Sequence, residues 1–106
     1  MPLASPIVGA FGGDRKGANL FGKSVVAVDV ETGTYRWHFQ TIHHDLWDHD
    51  PPAPPSLFDI VQNGRTVPAL ALTTKSGYLF LLNRETGQPI HGVEERPVPA
   101  SDVPGE

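Results

Sequence analysis

Ser24-Val25-Val26-Ala27-Val28-Asp29-Val30-Glu31-Thr32-Gly33-Thr34-Tyr35-Arg36-Trp37-His38-Phe39-Gln40 is the stretch that decides the fold. Its first seven residues are rich in valine on both faces of an extended chain, which predicts a buried strand over 24–30. Glu31-Thr32-Gly33 interrupts that run with a turn, because glycine enters positive φ without a steric cost. From Thr34 to Gln40 the pattern alternates, and a period of two puts Tyr35, Trp37 and Phe39 on one face of a second strand. The two strands form a hairpin. The same Glu-Thr-Gly returns at 85–87, which is 85 − 31 = 54 residues later. It again follows an apolar strand, Leu79–Asn83 in place of Val25–Asp29. A repeat of about fifty residues built from short antiparallel strands is the signature of propeller blades. A chain of 106 residues holds about two such blades, whereas a propeller has at least about four. The expected architecture is therefore all-β, about two antiparallel four-stranded blades of a larger propeller.

Working outward, residues 1–23 read as a loop-rich lead-in punctuated by Gly9, Gly12, Gly13, Gly17 and Gly22. Residues 24–91 hold the blade strands. Within them Leu57–Val61 and Thr66–Thr73 flank Asn63-Gly64, a hairpin turn whose two residues both tolerate positive φ. Pro68 suggests an edge position or a bulge in the second of these strands. Lys75-Ser76-Gly77 turns into Tyr78-Leu79-Phe80-Leu81-Leu82, which is apolar on both faces and is expected to be a central strand covered on both sides. Residues 92–106, with Pro97, Pro99 and Pro104, read as an extended, poorly anchored tail.

The composition narrows the classes of function. Eleven Gly and eleven Pro fit a loop-rich β protein with a thin core. A net charge of −4 without a basic run argues against nucleic acid as a partner. The absence of cysteine excludes disulfides and thiolate metal sites. There is no signal-peptide pattern and no run of eighteen apolar residues of the kind that spans a membrane. Gly17-Ala18-Asn19-Leu20-Phe21-Gly22-Lys23-Ser24 fits the phosphate-binding-loop template. That chemistry needs a helix after the lysine, and Val25, Val26 and Val28 make a strand there instead.

The chemistry concentrates in His43-His44-Asp45-Leu46-Trp47-Asp48-His49-Asp50, which is followed by Pro51-Pro52-Ala53-Pro54-Pro55. No periodicity places these polar residues on one face, and the prolines fix the direction in which the loop leaves. The active-site loop is expected over 43–55. His43, His44 and His49 with the aspartates form one candidate, a transition-metal site. A carboxylate acting as general base, with the Lys75 ammonium polarising an acceptor, forms another. The residues alone leave Asp45, Asp48 and Asp50 as equal candidates for the base. Solvated carboxylates and histidines bonded to loop backbone are the alternative to both. Trp37 reads as core, and Trp47 as a pocket wall or as packing against the prolines.

Ala27-x-Asp29-x-x-Thr32-Gly33-x-x-x-Trp37 resembles the tryptophan-docking repeat of the quinoprotein dehydrogenases, eight-bladed propellers that use pyrroloquinoline quinone (PQQ). Trp37-His38-Phe39-Gln40-Thr41-Ile42-His43-His44-Asp45-Leu46-Trp47-Asp48 is similar to the active-site segment of that family, most of all in its glucose-dehydrogenase branch. The resemblance implies PQQ and calcium as cofactors, a sugar or alcohol as substrate, a quinone or cytochrome as electron acceptor and a periplasmic setting. It also implies that the remaining blades complete the fold. It singles out Asp48, directly after the tryptophan, as the catalytic base and as a carboxylate that approaches calcium. It makes Lys75 the residue that contacts the quinone oxygens. Two departures accompany it. The second repeat, Leu81-x-Asn83-x-x-Thr86-Gly87-x-x-x-His91, has His in place of Trp. Pro2-Leu3 stand where the family carries Gly-Asn, whose asparagine binds calcium.

Overall fold

The computed structural model describes residues 1–6 and 11–106; the loop reading of Gly9 lies outside them. Five strands follow a 3-10 turn at Gly12–Asp14: β1 (Ser24–Val28), β2 (Tyr35–Gln40), β3 (Ser56–Gln62), β4 (Arg65–Thr73) and β5 (Leu79–Asn83). They form two antiparallel sheets, β1-β2 and β3-β4-β5. Each sheet gains one further bridge, Pro2 to Val25 in the first and Leu82 to Pro89 in the second. The 3-4 turn is the expected hairpin, with Asn63 at φ 51° and Gly64 at φ 76° and a register running from Gln62↔Arg65 to Ser56↔Ala71.

The internal repeat is reproduced bond for bond. In the first copy the Asp29 N–H donates to Thr34 O and the Gly33 N–H to Asp29 O, both at 2.8 Å. In the second, Asn83 N–H donates to Gln88 O and Gly87 N–H to Asn83 O, again at 2.8 Å. The Asp29 and Asn83 side chains each accept from the residue two positions on, Glu31 or Glu85, at 2.9 Å. Gly33 and Gly87 take φ of 69° and 75°, which is why each turn ends in glycine. After the second turn only Pro89 and Ile90 run back along β5, where the Ile90 N–H reaches Leu81 O at 2.9 Å.

Trp37 joins the two copies. The core is Val25, Trp37, Leu70, Leu72 and Leu82, with Ala27, Phe39 and Phe80 packed against it. The indole of Trp37 lies over Gly87, where a Cβ would come within 2.6 Å of Cε3. Its Nε1–H donates to Arg84 O at 3.0 Å. Pro68 explains why that carbonyl is open. The Arg84 N–H donates to Pro68 O at 3.0 Å, so the two residues face each other one step beyond the last ladder pair, Ala69↔Asn83. A residue with an N–H at position 68 would return a bond to Arg84 O, but proline has none. The tryptophan supplies the missing donor. Pro68 thus sits inside the central strand of its sheet, with no bulge in its ladder, and not at the expected edge.

Two further readings are corrected. Tyr35 does not share a face with Trp37 and Phe39. The register slips from Ala27↔Trp37 to Val28↔Tyr35, and the extra residue, Arg36, reverses the alternation before it as a β-bulge does. Tyr35 turns outward, and its hydroxyl meets His38 Nδ1 at 2.6 Å. The strand expected to be central and covered on both sides, β5, lies beside β4 alone among the named strands, and Leu79 is 60% exposed. β4 takes the central place, with Ala69 and Leu72 fully buried. Among the described residues no second named strand pairs with β5, which buries Leu82 in the core and leaves Leu79 exposed.

Candidate active site

The site forms where the two sheets present the same end. Lys23 immediately precedes β1, and the Thr41 N–H donates to Lys23 O at 2.9 Å, extending the β1-β2 ladder by one step. The chain then enters the 43–55 loop. Lys75 sits in the turn that leaves β4, and its N–H donates to Asp50 O at 2.9 Å. That bond ties the loop of the first sheet to the turn of the second.

The three aspartates, equal in the sequence, have three different environments. Asp45 is buried and organises the loop, accepting from the amides of Trp47 at 3.0 Å and His49 at 2.9 Å. Its other partners are Lys23 Nζ at 2.9 Å and His49 Nδ1 at 3.1 Å. Burial raises the Asp45 carboxyl, but Lys23, those two amides and the His49 ring outweigh it and bring it down to about 2. Asp50 accepts from Lys23 Nζ at 2.7 Å and from Ser5 N and Oγ at 2.6 and 2.7 Å. Burial works against its charge, yet Lys23 and Ser5 hold its carboxyl well below the usual range. Asp48 is the open one, its side chain 34% exposed. Oδ2 lies 2.9 Å from Lys75 Nζ and Oδ1 accepts from Ser5 Oγ at 2.9 Å. Asp48 itself stands at φ 59°, and Lys23 and His44 also take positive φ, at 54° and 48°. Non-glycine residues in this region cost about 1 kcal/mol or more each, and they gather where the surroundings impose a geometry for use.

Lys75 and Asp48, 75 − 48 = 27 residues apart in sequence, therefore meet at bonding distance. The hydrogen bond to Asp48 raises the Lys75 ammonium; slight burial opposes this and Asp50 adds to it. Its side chain is 44% exposed, and of its three N–H donors two face Asp48 and Asp50. Among the described residues no acceptor meets the third.

The histidines do not converge. His43 bonds Gln40 and meets Glu95 at 3.0 Å, His44 reaches Gly17 O at 2.7 Å, and His49 turns to Asp45. Among the described residues no group of three His, Asp or Glu side chains could hold a metal ion. The transition-metal reading has no site to occupy there. Trp47 is half exposed and donates from Nε1 to Pro99 O at 3.0 Å; residues 92–106, extended and largely exposed, are thus tied to the loop here and to Gly12 through Glu106, and are not the poorly anchored tail expected.

Lys23 and Ser5 are neighbours of these aspartates that the sequence did not point to. Lys23 entered only through a rejected phosphate-loop match, although a lysine opening a buried strand needs carboxylates close by, and three lie within the loop that follows β2. Ser5 carries no local signal, because its role depends on a contact 43 residues away.

Comparison with known proteins bears on the family and the fold. The sequence matches the family described as "PQQ: Glucose/ethanol/alcohol dehydrogenase, beta-propeller domain" over residues 1–106. It is 43% identical to a quinate/shikimate dehydrogenase (quinone) of Acinetobacter baylyi and 43% identical to a quinoprotein glucose dehydrogenase of Gluconobacter oxydans. Each alignment takes in 100% of this chain and 13% of the relative, so the chain spans about an eighth of their length. Among solved structures it resembles quinohemoprotein alcohol dehydrogenase from Comamonas testosteroni, with a TM-score of 0.67 and 35% identity over 80% of this chain and 13% of that one. The repeat, the docked tryptophan and the match along the whole sequence lead to one conclusion: this chain belongs to the PQQ glucose/ethanol/alcohol dehydrogenase β-propeller family.

Proposed function

We propose that this chain is the segment of a PQQ-dependent dehydrogenase that supplies the general base and one cofactor contact, in a site completed by the remaining blades. The observation that carries this reading is the pairing of Asp48 with Lys75 at 2.9 Å, at a rim where both side chains reach solvent. Relatives named as glucose, glycerol and quinate dehydrogenases suggest a sugar or another polyhydroxyl alcohol as substrate. A quinone or cytochrome acceptor and a periplasmic setting belong to the same proposal.

The described residues offer a cation, Lys75, to an anionic quinone oxygen and a carboxylate, Asp48, to calcium. The third donor of Lys75 is free to bind such an oxygen. Calcium takes about six to eight oxygen ligands; Asp48, whose oxygens face Lys75 and Ser5, would be one of them, and the others would come from outside this chain. PQQ, when bound, supplies the acceptor for the hydride that leaves the alcohol carbon. The Asp48 carboxylate takes the hydroxyl proton, so that the substrate loses two electrons and two hydrogens to become a carbonyl compound. Lys75 orients the acceptor and presents positive charge where negative charge develops. Ser5, whose single hydroxyl proton is shared between Asp48 Oδ1 at 2.9 Å and Asp50 Oδ1 at 2.7 Å, holds the base in place.

The test is Asp48→Asn in the complete propeller that carries this segment. Turnover with a dye acceptor is expected to fall about 10²- to 10⁴-fold while PQQ stays bound. Near-normal turnover in a normally folded variant overturns the assignment.

A further inference from the structure

Asp50 is the point where three separate segments meet. Its Oδ1 accepts from Ser5 N, Ser5 Oγ and Lys23 Nζ, its carbonyl oxygen accepts from the Lys75 N–H, and Oδ2 lies 3.4 Å from Lys75 Nζ. Lys23, whose side chain is 1% exposed, divides its ammonium between Asp50 at 2.7 Å and Asp45 at 2.9 Å and stays 3.7 Å from Asp48. An ammonium this deep persists only where carboxylates pair with it. The proposed proton transfer uses neither Lys23 nor Asp50, and Lys23 is too buried to touch a substrate.

We propose that the Lys23–Asp50 pair is a positioning device for Asp48 and Lys75. Three carboxylates, Asp45, Asp48 and Asp50, face two ammonium groups, Lys23 and Lys75, leaving a local charge of −1. The distribution matters more than the sum. Because Lys23 satisfies Asp50 Oδ1, Asp50 competes weakly for Lys75, whose ammonium settles 2.9 Å from Asp48 against 3.4 Å from Asp50. The same clamp holds the Asp50 carbonyl where the Lys75 amide can reach it, which fixes the 74–77 turn against the loop. Without Lys23, Asp50 turns its whole charge on Lys75, draws the ammonium off Asp48, and frees the loop from the turn.

This inference rests on the proposed function for its catalytic consequence, but its geometric core is measurable without cofactor. In the complete propeller, Lys23→Met is combined with Asp45→Asn so that no buried carboxylate is left unpaired, and Asp45→Asn alone, which already alters the bonds to the Trp47 and His49 amides, is the reference for every comparison. The expected result is amide hydrogen exchange at Lys75 that is about tenfold faster, with β4 and β5 amides unchanged. PQQ binding weakens by a similar factor, and Lys23→Arg restores both. Exchange at Lys75 in the double variant that matches Asp45→Asn alone overturns the proposal. So does faster exchange spread through β4 and β5, because that marks Lys23 as general core support. If the unsubstituted protein binds no PQQ, the proposed function fails, while exchange at Lys75 still decides the positioning role.

Discussion

Lys75 faces Asp48 with one N–H, Asp50 with a second, and has a third to spare. Replacing it with alanine in the complete propeller is expected to weaken PQQ retention about tenfold or more, measured as cofactor content after dialysis; unchanged occupancy removes Lys75 from the site. Asp45 gives a prediction in pH. Its carboxyl ionises at about 2 when folded, against 3.8 ordinarily. A group whose folded pKa is lowered contributes stability above its unfolded value and loses that contribution as pH falls towards the folded one. The urea midpoint should therefore decline between about pH 4 and pH 2, and Asp45→Asn should flatten that part of the decline. Which aspartate does what was not legible in the sequence. Asp45, Asp48 and Asp50 differ only in which cation and which amides fold onto them, and those partners come from residues 5, 23 and 75.

At the scale of the element, the β1-β2 hairpin is held to the second repeat through Trp37. Trp37→Ala is expected to cost about 3–5 kcal/mol. Trp37→Phe keeps most of the packing but leaves Arg84 O without its donor, a loss of about 1 kcal/mol, so chemical denaturation should rank the two variants in that order. Gly87→Ala should destabilise for two separate reasons, its φ of 75° and the clash of a Cβ with the indole. Both hairpins could be read in the sequence, because valine runs, Glu-Thr-Gly and Asn-Gly act through local backbone preference. The bulge at Arg36 could not, since no glycine marks it. Nor could the exchange of donors between Pro68 and Trp37, which depends on where the sheets meet.

The whole molecule is open. Its radius of gyration is 15.2 Å, above the ~13 Å expected of a compact chain of this length. Leu57, Val61, Tyr78 and Leu79 of the second sheet are exposed, and β2 and β3 each pair with a named strand on one side only. Surfaces of this kind await other blades and invite pairing when left bare. The chain alone is expected to associate at micromolar concentration, seen by light scattering as growing particle size; a monodisperse monomer with one sharp melt contradicts this.

By itself the sequence determined the strands, the turns and the fifty-four-residue repeat, and so the propeller architecture, because each follows from side-chain alternation and from backbone freedom within a few neighbours. Only the tertiary structure decided that β4 lies central, that Tyr35 turns away from the core, and that Lys23 and Ser5 converge on Asp48 and Asp50. Those outcomes depend on contacts between distant segments, where burial and charge pairing are shared across the fold and no local pattern records the partner.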